Sequence, residues 1–246
     1  MFDALAVRAS QGWQYIRDLR AARPVGYRGR PGITAAPCED GCVACRDVCP
    51  TAAIAVAPVR LDLGRCVFCN GCAEVCPVDK IAFGPDPRMA ARDPAGLVVG
   101  EGTAAAPVPV DDQLRALFGR SLRLRQISAG GCNGCELELN ATSNVNFDLQ
   151  RFGIEWVASP RHADGLVLTG PVTRNMARAV QLCIDATPAP KFVVAVGACA
   201  ISGGLFREGA DVERSVLDRW PPVVSVPGCP VHPLTFAHAI LDLLGR

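Results

Sequence analysis

The chain has 246 residues, with 25 lysines and arginines against 24 aspartates and glutamates. A formal net charge of +1 provides no basic excess, which disfavours nucleic acid as a partner. Hydrophobic residues make up 50% of the chain, yet no uninterrupted apolar stretch approaches the roughly 20 residues that cross a bilayer. Residues 1–30 lack the apolar core of a secretory signal, so we expect the chain to stay in the cytoplasm.

Thirteen cysteines are the most informative part of the composition. In a reducing compartment they are too many for chance and unsuited to a disulfide scaffold, so metal binding is their expected role.

Composition divides the chain into four predicted segments. Residues 1–35 become rich in arginine, glycine and proline, which indicates an arm. Residues 36–85 hold two similar cysteine blocks, and residues 86–120, rich in proline, alanine and glycine, indicate a linker with one short helix capped by Asp111. Residues 121–246 alternate between short apolar runs and helical patterns.

The start of the arm, from Phe2 to Arg20, is predicted to form one amphipathic helix. Its apolar face would contain Leu5, Trp13, Ile16 and Leu19.

The two cysteine blocks indicate an internal duplication. They read Cys38-x3-Cys42-x2-Cys45-x3-Cys49-Pro50 and Cys66-x2-Cys69-x2-Cys72-x3-Cys76-Pro77. A 4Fe-4S cluster needs four thiolates, and in two-cluster ferredoxins the fourth cysteine of each run binds the other cluster. The predicted ligands are Cys38, Cys42, Cys45 and Cys76 for the first cluster, and Cys49, Cys66, Cys69 and Cys72 for the second. Structural zinc is the alternative, but zinc needs only cysteine pairs and would not require four regularly spaced cysteines and a proline in each block.

Residues 121–246 predict a flavodoxin-like, doubly wound α/β fold with a parallel sheet, beside a small α+β domain of bacterial-ferredoxin type in residues 36–85. The predicted strands are Leu122 to Ser128, Gly153 to Ser159, Gly165 to Thr169, Lys191 to Val196 and Val223 to Val226. The predicted helices are Cys135 to Phe147, Arg174 to Ala186, Val212 to Trp220 and His232 to Leu244.

Four more cysteines follow predicted strands. Cys132 and Cys135 come after the first strand, Cys199 after the fourth and Cys229 after the fifth. The carboxyl ends of parallel strands form the ligand-binding edge of such sheets, so the four thiolates predict a third 4Fe-4S site. Cys183, among apolar neighbours in a helical pattern, is predicted to be an inert core residue.

The residues around these cysteines resemble the small subunit of group 4 energy-converting nickel-iron hydrogenases, of the formate hydrogenlyase kind. The resemblance is carried by Ser128 to Glu138, Phe152-Gly-Ile, Ser159 to Asp164, Thr169 to Arg174, Gly197-Ala-Cys199 and Pro227 to Pro230. The chain is similar, more distantly, to the complex I subunit that carries the last cluster before quinone. That relative has adjacent cysteines where this chain has Cys132-x2-Cys135, which favours the hydrogenase interpretation.

The amino-terminal half resembles the two-cluster ferredoxin subunit of the same complexes, through Tyr27 to Pro31 and Leu63 to Cys69. The resemblance implies a fusion of two subunits and an oxidoreductase role in electron transfer. It also implies a large catalytic partner, membrane subunits in other chains, and a formate dehydrogenase or soluble ferredoxin as redox partner, at the cytoplasmic side of the inner membrane. The alternative is the same electron-transfer role in a nickel-free, complex I-like oxidoreductase.

Other polar residues have two interpretations each. Glu138 matches an acidic position of the resembling family and would carry a proton or organise water, or else it is a carboxylate at a helix start. Arg161 and His162 would contact a partner subunit or shift the cluster potential through their charge, or else they lie in a solvated turn. His232 and His238 lack a converging ligand set, which predicts surface or interface roles.

No phosphate-binding loop or dinucleotide fingerprint occurs, and the cysteines already take the edge where a flavin would bind, so neither nucleotide nor flavin is expected. A free ferredoxin-like shuttle and a zinc-binding adaptor remain as functions of other classes. The net charge of +1 and mean hydropathy of +0.22 argue against the shuttle, and the visible spectrum separates colourless zinc thiolates from brown iron-sulfur clusters.

Overall fold

The first helix of the chain is much shorter than predicted. The computed structural model describes residues 2–246, so that Met1, the first residue of the predicted arm, lies outside the described residues. Helix α1 (Phe2–Gln11) ends before Gly12, whose left-handed φ of 66° is a conformation that glycine adopts at helix ends without steric cost. Leu19, predicted to lie on the same helix, is instead buried in the core of the carboxyl-terminal half. The prediction of one helix reaching Arg20 is therefore wrong.

Two small antiparallel sheets and two short helices form the cysteine-rich part of the chain. Its elements are β1 (Pro31–Ile33), α2 (Ala44–Asp47), β2 (Ile54–Ala55), β3 (Arg60–Asp62), α3 (Gly71–Glu74), β4 (Ile81–Phe83) and β5 (Val98–Val99). Strand β1 pairs with β4, and β3 pairs with both β2 and β5. The core between them contains the buried side chains Leu61, Leu63, Ile81 and Val99. Because β5 comes from residues 86–120, the predicted linker contributes a strand to this part.

The carboxyl-terminal half, residues 121–246, folds around a five-stranded parallel sheet. Its elements, with the helix that precedes them, are α4 (Asp112–Phe118), β6 (Leu122–Ser128), α5 (Gly134–Ala141), β7 (Ile154–Trp156), β8 (Gly165–Thr169), α6 (Arg174–Ala186), β9 (Phe192–Val196), α7 (Gly197–Ser202), α8 (Ser215–Arg219), β10 (Val224–Val226) and α9 (Pro233–Leu243). The strand order is β7-β6-β8-β9-β10. In chain order this is second, first, third, fourth, fifth, the flavodoxin-like arrangement, so the predicted fold class is confirmed.

Helices cover both faces of this sheet. On one face α9 packs against a core that includes Leu124, Val194 and Phe236. On the other face α6 and α8 pack against a second core that includes Ile127 and Leu168. Every residue of β8 and β9 is buried, as expected for central strands covered on both faces.

Two helices of this half are shorter than predicted because polar groups take other partners. Helix α5 ends at Ala141, where Thr142 donates its side-chain hydroxyl to the Leu139 carbonyl at 2.6 Å; hydroxyl side chains compete with helical hydrogen bonds in this way. Helix α8 begins only at Ser215, since the Glu213 N–H bonds the Val172 carbonyl at 2.7 Å.

Residues 86–120 hold the two parts of the chain together. Ala91 exchanges two backbone hydrogen bonds of 2.8 and 3.1 Å with Ser225 and so adds to the β10 edge of the parallel sheet. The predicted cap of α4 is confirmed, because Asp111 accepts hydrogen bonds from the N–H groups of Gln113 and Leu114. Among residues 2–246, no helix has both the length and the apolar character that crossing a membrane requires.

His238 is buried, with 3% of its surface exposed, so its predicted surface or interface role is wrong. Its Nε2 lies 3.1 Å from the Leu19 carbonyl and must carry a proton to donate to it. Burial lowers the pKa of His238. The folded chain therefore favours the neutral ring of His238. This preference stabilises the fold at pH values above the ordinary pKa of histidine, and the contribution is lost as the pH falls through that value towards the lowered pKa.

We expect acidification from about pH 7.5 to about pH 5.5 to destabilise the wild-type chain more than His238→Gln, whose amide donates to the same carbonyl without titrating. Thermal unfolding at both pH values measures the difference. The matched control is His162→Gln, at an exposed position. An equal loss in the wild type and in His238→Gln would contradict the prediction.

Candidate iron-sulfur sites

The two cysteine blocks surround two separate cavities. The first cavity is lined by Cys38, Cys42, Cys45 and Cys76. The second cavity is lined by Cys49, Cys66, Cys69 and Cys72. Each cavity therefore combines three cysteines of one block with the last cysteine of the other, which is the grouping that the sequence predicts.

Short helices and backbone amides position these thiols. Cys45 lies in α2 and Cys72 in α3, and both are buried. Three sulfurs accept a backbone hydrogen bond each: the Ala53 N–H reaches Cys49, the Phe68 N–H reaches Cys66 and the Lys80 N–H reaches Cys76, at 3.2 to 3.3 Å. Such hydrogen bonds favour thiolates, the form that binds iron.

Burial and crowding make these thiols poor acids in the absence of a metal. Burial raises the pKa of Cys66 to about 12 and that of Cys72 to about 11. Burial likewise raises the pKa of Cys45, and its neighbours Cys38, Cys42 and Cys76 raise it further. Four thiolates around one cavity repel one another, so a positively charged group between them fits this arrangement.

The other four predicted ligands meet at the carboxyl edge of the parallel sheet, in the third site. Cys132 precedes α5, Cys135 lies in its first turn, Cys199 lies in α7 and Cys229 follows β10. The pKa of Cys135 is raised to about 12 and that of Cys199 to about 11, chiefly by burial and in part by the Cys229 thiol. Cys132 in turn raises the pKa of Cys199 and Cys229, so the four thiols act on one another.

Gly197 lets the chain pass close to the third site. It joins β9 to α7 with a φ of 86°, in the left-handed region. A Cβ atom at this position would lie 2.6 Å from the Cys135 sulfur, closer than real Cβ atoms come. Only glycine provides both the backbone conformation and the space.

The first two sites surround spaces that fit a group larger than a single ion. In the part of the chain that the structure describes, no three His, Cys, Asp or Glu side chains are close enough together to hold one metal ion. A 4Fe-4S cluster takes one thiolate at each of four irons, so its ligands surround a space instead of converging on one point. The ring of sulfurs around each of the first two cavities has this form.

Glu136 is an acidic residue that the sequence reasoning missed. It is 5% exposed and accepts hydrogen bonds of 2.7 Å from the hydroxyls of Ser128 and Thr169. Ser128 and Thr169 are the last residues of the neighbouring strands β6 and β8. Two hydroxyl residues at adjacent strand ends are the sequence signal that could have predicted a buried polar partner. The predicted Glu138 is half-buried, and burial raises its pKa.

A cleft of about 240 Å³ lies between the second cysteine block and the third site. Phe68, from the second cysteine block, and Cys229, from the third site, both line it, and so do Glu138, Tyr27 and His232. The Tyr27 and His232 rings lie 4.5 Å apart, and burial lowers the pKa of His232 to about 4.

His232 also caps α9 by accepting a hydrogen bond from the Leu234 N–H at 3.1 Å. This histidine is half-buried, and its predicted surface or interface role stays a prediction.

Three remaining predicted residues lie away from the cysteine groups. Cys183 is half-buried against the core on the α6 face, and burial raises the pKa of its thiol. Arg161 and His162 lie exposed in a short 3-10 turn (Pro160–His162).

Comparison with known proteins matches residues 132–243 to the family described as NADH ubiquinone oxidoreductase, 20 Kd subunit. The probable membrane-bound hydrogenase subunit mbhJ of Pyrococcus furiosus is 43% identical over 135 residues, which cover 54% of this chain and 80% of that protein. Formate hydrogenlyase subunit 7 of Escherichia coli is 37% identical, over 65% of this chain and 61% of that protein. An NADH-quinone oxidoreductase subunit of a Roseiflexus species is 44% identical, over 51% of this chain and 47% of that protein.

The matched residues contain all four cysteines of the third site and lie beyond both cysteine blocks. The relatives are subunits of redox enzymes by name, and the first of them is covered over most of its length. The chain therefore belongs to the NADH ubiquinone oxidoreductase 20 Kd subunit family of oxidoreductase subunits.

Proposed function

We propose that this chain is the electron-transfer subunit of a membrane-associated nickel-iron hydrogenase complex of the formate hydrogenlyase kind. The observation that carries the proposal is the arrangement of twelve of the thirteen cysteines in three groups of four. A chain that only needed structural metal would not require a cleft lined by residues of both the second cysteine block and the third site.

Three 4Fe-4S clusters are the proposed cofactors. Cys38, Cys42, Cys45 and Cys76 hold the first, Cys49, Cys66, Cys69 and Cys72 the second, and Cys132, Cys135, Cys199 and Cys229 the third. When bound, these clusters supply one-electron transfer at low potential. The chain contributes thiolate ligands, backbone N–H groups aimed at sulfur, and apolar walls that limit the access of water.

The contacts of the second cavity support an order for the three sites. Phe68 lies between Cys66 and Cys69 in the chain and also lines the cleft that reaches Cys229. Arg28 lines the same cleft and donates to the Cys69 carbonyl at 3.1 Å. The second cluster therefore lies between the first and the third in the proposed relay.

We also propose that the chain is a natural fusion, with a ferredoxin-like domain in residues 36–85 and the 20 Kd-type domain in residues 121–246. Joining the two fixes the distance between the second and third clusters, which electron transfer requires because its rate falls steeply with separation. The Ala91 to Ser225 hydrogen bonds support this, and so does Ile201, which follows Cys199 and packs on the core of the cysteine-rich part.

The third site faces the proposed catalytic partner, a large hydrogenase-type subunit that carries the nickel-iron centre. Cys132 is exposed, and large apolar side chains near the other ligands are exposed as well: Leu137 by 62%, Leu205 by 58% and Phe206 by 48%. Exposed apolar groups of this kind are typical of surfaces that a partner covers. Membrane subunits in other chains would hold the complex at the cytoplasmic side of the inner membrane, with a formate dehydrogenase or soluble ferredoxin as redox partner.

A nickel-free, complex I-like oxidoreductase is the second candidate, favoured by the 44% identity to an NADH-quinone oxidoreductase subunit. The Cys132-x2-Cys135 spacing and the greater coverage of the hydrogenase relative favour the first.

The complex purified through a tag on this chain should contain about one nickel per chain and reduce an artificial acceptor with hydrogen. Metal analysis and hydrogen-driven dye reduction are the measurements. An intact complex that holds all three clusters, lacks nickel and does not react with hydrogen would exclude the hydrogenase and leave the electron-transfer role in place.

A further inference from the structure

The two cysteine blocks differ at one buried position. Cys49-Pro-Thr-Ala-Ala53 in the first block corresponds to Cys76-Pro-Val-Asp-Lys80 in the second. Both end positions are buried, Ala53 with 4% and Lys80 with 6% of the surface exposed. Their backbone N–H groups make equivalent hydrogen bonds to the cysteine four residues earlier, at 3.3 and 3.2 Å. The backbones of the repeats therefore match, while one side chain is a methyl group and the other is a cation.

The ammonium group of Lys80 is held as a charged group. Its Nζ donates to the carbonyls of Thr34 and Ala36 at 2.6 and 2.8 Å, and to the Glu101 carboxylate at 3.3 Å. Three acceptors match the three protons of an ammonium group, so each proton has its own partner. The charge of Lys80 is therefore buried, and its hydrogen bonds compensate for the loss of contact with water.

This charge lies beside one cavity and not the other. Lys80 lines the first cavity, with Cys38 and Cys76, whereas Ala53 lines the second. No charged side chain is among the residues that line the second cavity, within residues 2–246. Arg28 reaches the Cys69 carbonyl, but it is exposed, so solvent screens its charge.

Acidic groups near Lys80 reduce its effect. The Glu101 side chain is 56% exposed, against 8% for the Lys80 side chain. Glu39 lines the same cavity and is exposed, and Asp79 is exposed next to Lys80 in the chain. Interactions of buried charges are screened less than those of exposed ones, so the buried ammonium group acts on the first cavity more strongly than any one of these exposed carboxylates.

We propose that Lys80 is a positioning and tuning residue that makes the first cluster easier to reduce than the second. The inference rests on the proposed function, because it requires clusters in both cavities. Reduction adds one negative charge to a cluster, and the buried ammonium group of Lys80 stabilises that charge in the first cavity. The repeated loops would otherwise offer the two clusters similar surroundings.

The test measures the reduction potential of each cluster in the purified complex by potentiometric titration followed by electron paramagnetic resonance. The resonance signal of the first cluster is identified as the one that disappears in Cys42→Ser. Lys80→Met keeps the length of the side chain and removes its charge. We expect the reduction equilibrium of the first cluster to become about tenfold less favourable, or about 59 mV for one electron, with the other two unchanged.

Glu101→Gln gives a result of opposite sign. It removes the acidic partner of Lys80, so the first cluster should become easier to reduce, by less than tenfold because Glu101 is exposed. Structural damage in both variants would be expected to shift the reduction potential of the first cluster in the same direction, whereas removal of opposite charges shifts it in opposite directions. Lys191→Met is the control, because Lys191 also caps backbone carbonyls, those of Ile184 and Thr187, away from the cysteines. It should move no potential.

Unchanged potentials in Lys80→Met with full iron content would overturn the proposal, and so would equal shifts of all three clusters. If Lys80→Met loses the first cluster, Glu101→Gln decides: an upward shift supports the tuning role and an unchanged potential overturns it. Failure of the proposed function has a different signature, since the wild-type complex would then lack the signals of the first two clusters.

Discussion

If the three proposed clusters are present, replacing Cys229 by serine should remove about four of roughly twelve irons from each chain, because only the proposed third cluster depends on this thiol. Serine offers a weaker ligand for iron in the same space. The first two cavities contain no residue of the third site, so their eight irons should remain. Iron and acid-labile sulfide analysis measures the loss, and electron delivery to the partner subunit should stop with it.

Cys183→Ser is the matched control for this variant. Cys183 lies in α6, where it contacts Arg125 and no other cysteine raises or lowers its pKa. Its replacement should leave the iron content at the wild-type value. Loss of a cluster in Cys183→Ser, or a full complement of iron in Cys229→Ser, would show that the ligand assignment is wrong.

Spacing, together with the rule that the fourth cysteine of each run in a two-cluster ferredoxin binds the other cluster, was enough to predict the grouping of the cysteines in the first two cavities. Steps of about three residues leave a short loop little choice but to wrap one cluster, and the duplication supplies the fourth ligand from the other block. The third site followed from β6, β9 and β10, because parallel strands bring distant loops to one edge whatever lies between them. For residues 121–246 the alternation of strands and helices likewise defined the fold.

Tertiary contacts account for the errors. Leu19 has the spacing of a helical apolar face, but Gly12 ends the helix and Leu19 is buried against α9 instead. Residues 86–120 have the composition of a linker, yet Leu97 and Val99 belong to the core of the cysteine-rich part. Local composition does not indicate whether a distant surface will bury a short apolar run.

Charged residues inside the fold were the hardest to predict. Glu136 follows Cys135 directly and resembles any acidic residue in the first turn of a helix. Only the pairing of β6 with β8 shows that two hydroxyls converge on it. The role of Lys80 is similar: aligning the repeats shows lysine opposite Ala53, but only the fold shows that both side chains are buried beside different cavities.

A comparison of Gly197 with Gly102 separates the effect of backbone strain from the effect of steric contact with the third site. Its left-handed φ of 86° is costly for any other residue, and a Cβ atom would in addition lie 2.6 Å from the Cys135 sulfur. Gly102 has a comparable φ of 69°, but nothing lies within 4 Å of the Cβ position. Alanine at the two positions therefore imposes similar strain and differs in its contact with a ligand.

We expect Gly197→Ala to lose the third cluster, about four irons per chain, while Gly102→Ala keeps all three. The added methyl group must displace the Cys135 thiol, and a 4Fe-4S cluster accepts little displacement because its four ligands have fixed positions. Thermal unfolding should show a modest destabilisation in Gly102→Ala, from the left-handed backbone alone, and a larger one in Gly197→Ala, which adds the contact with Cys135 and the loss of the cluster. Retention of the third cluster in Gly197→Ala would mean that Cys135 is not held against Gly197 and is not a ligand at this edge of the sheet. Equal iron loss in both variants would instead attribute the effect to strain alone.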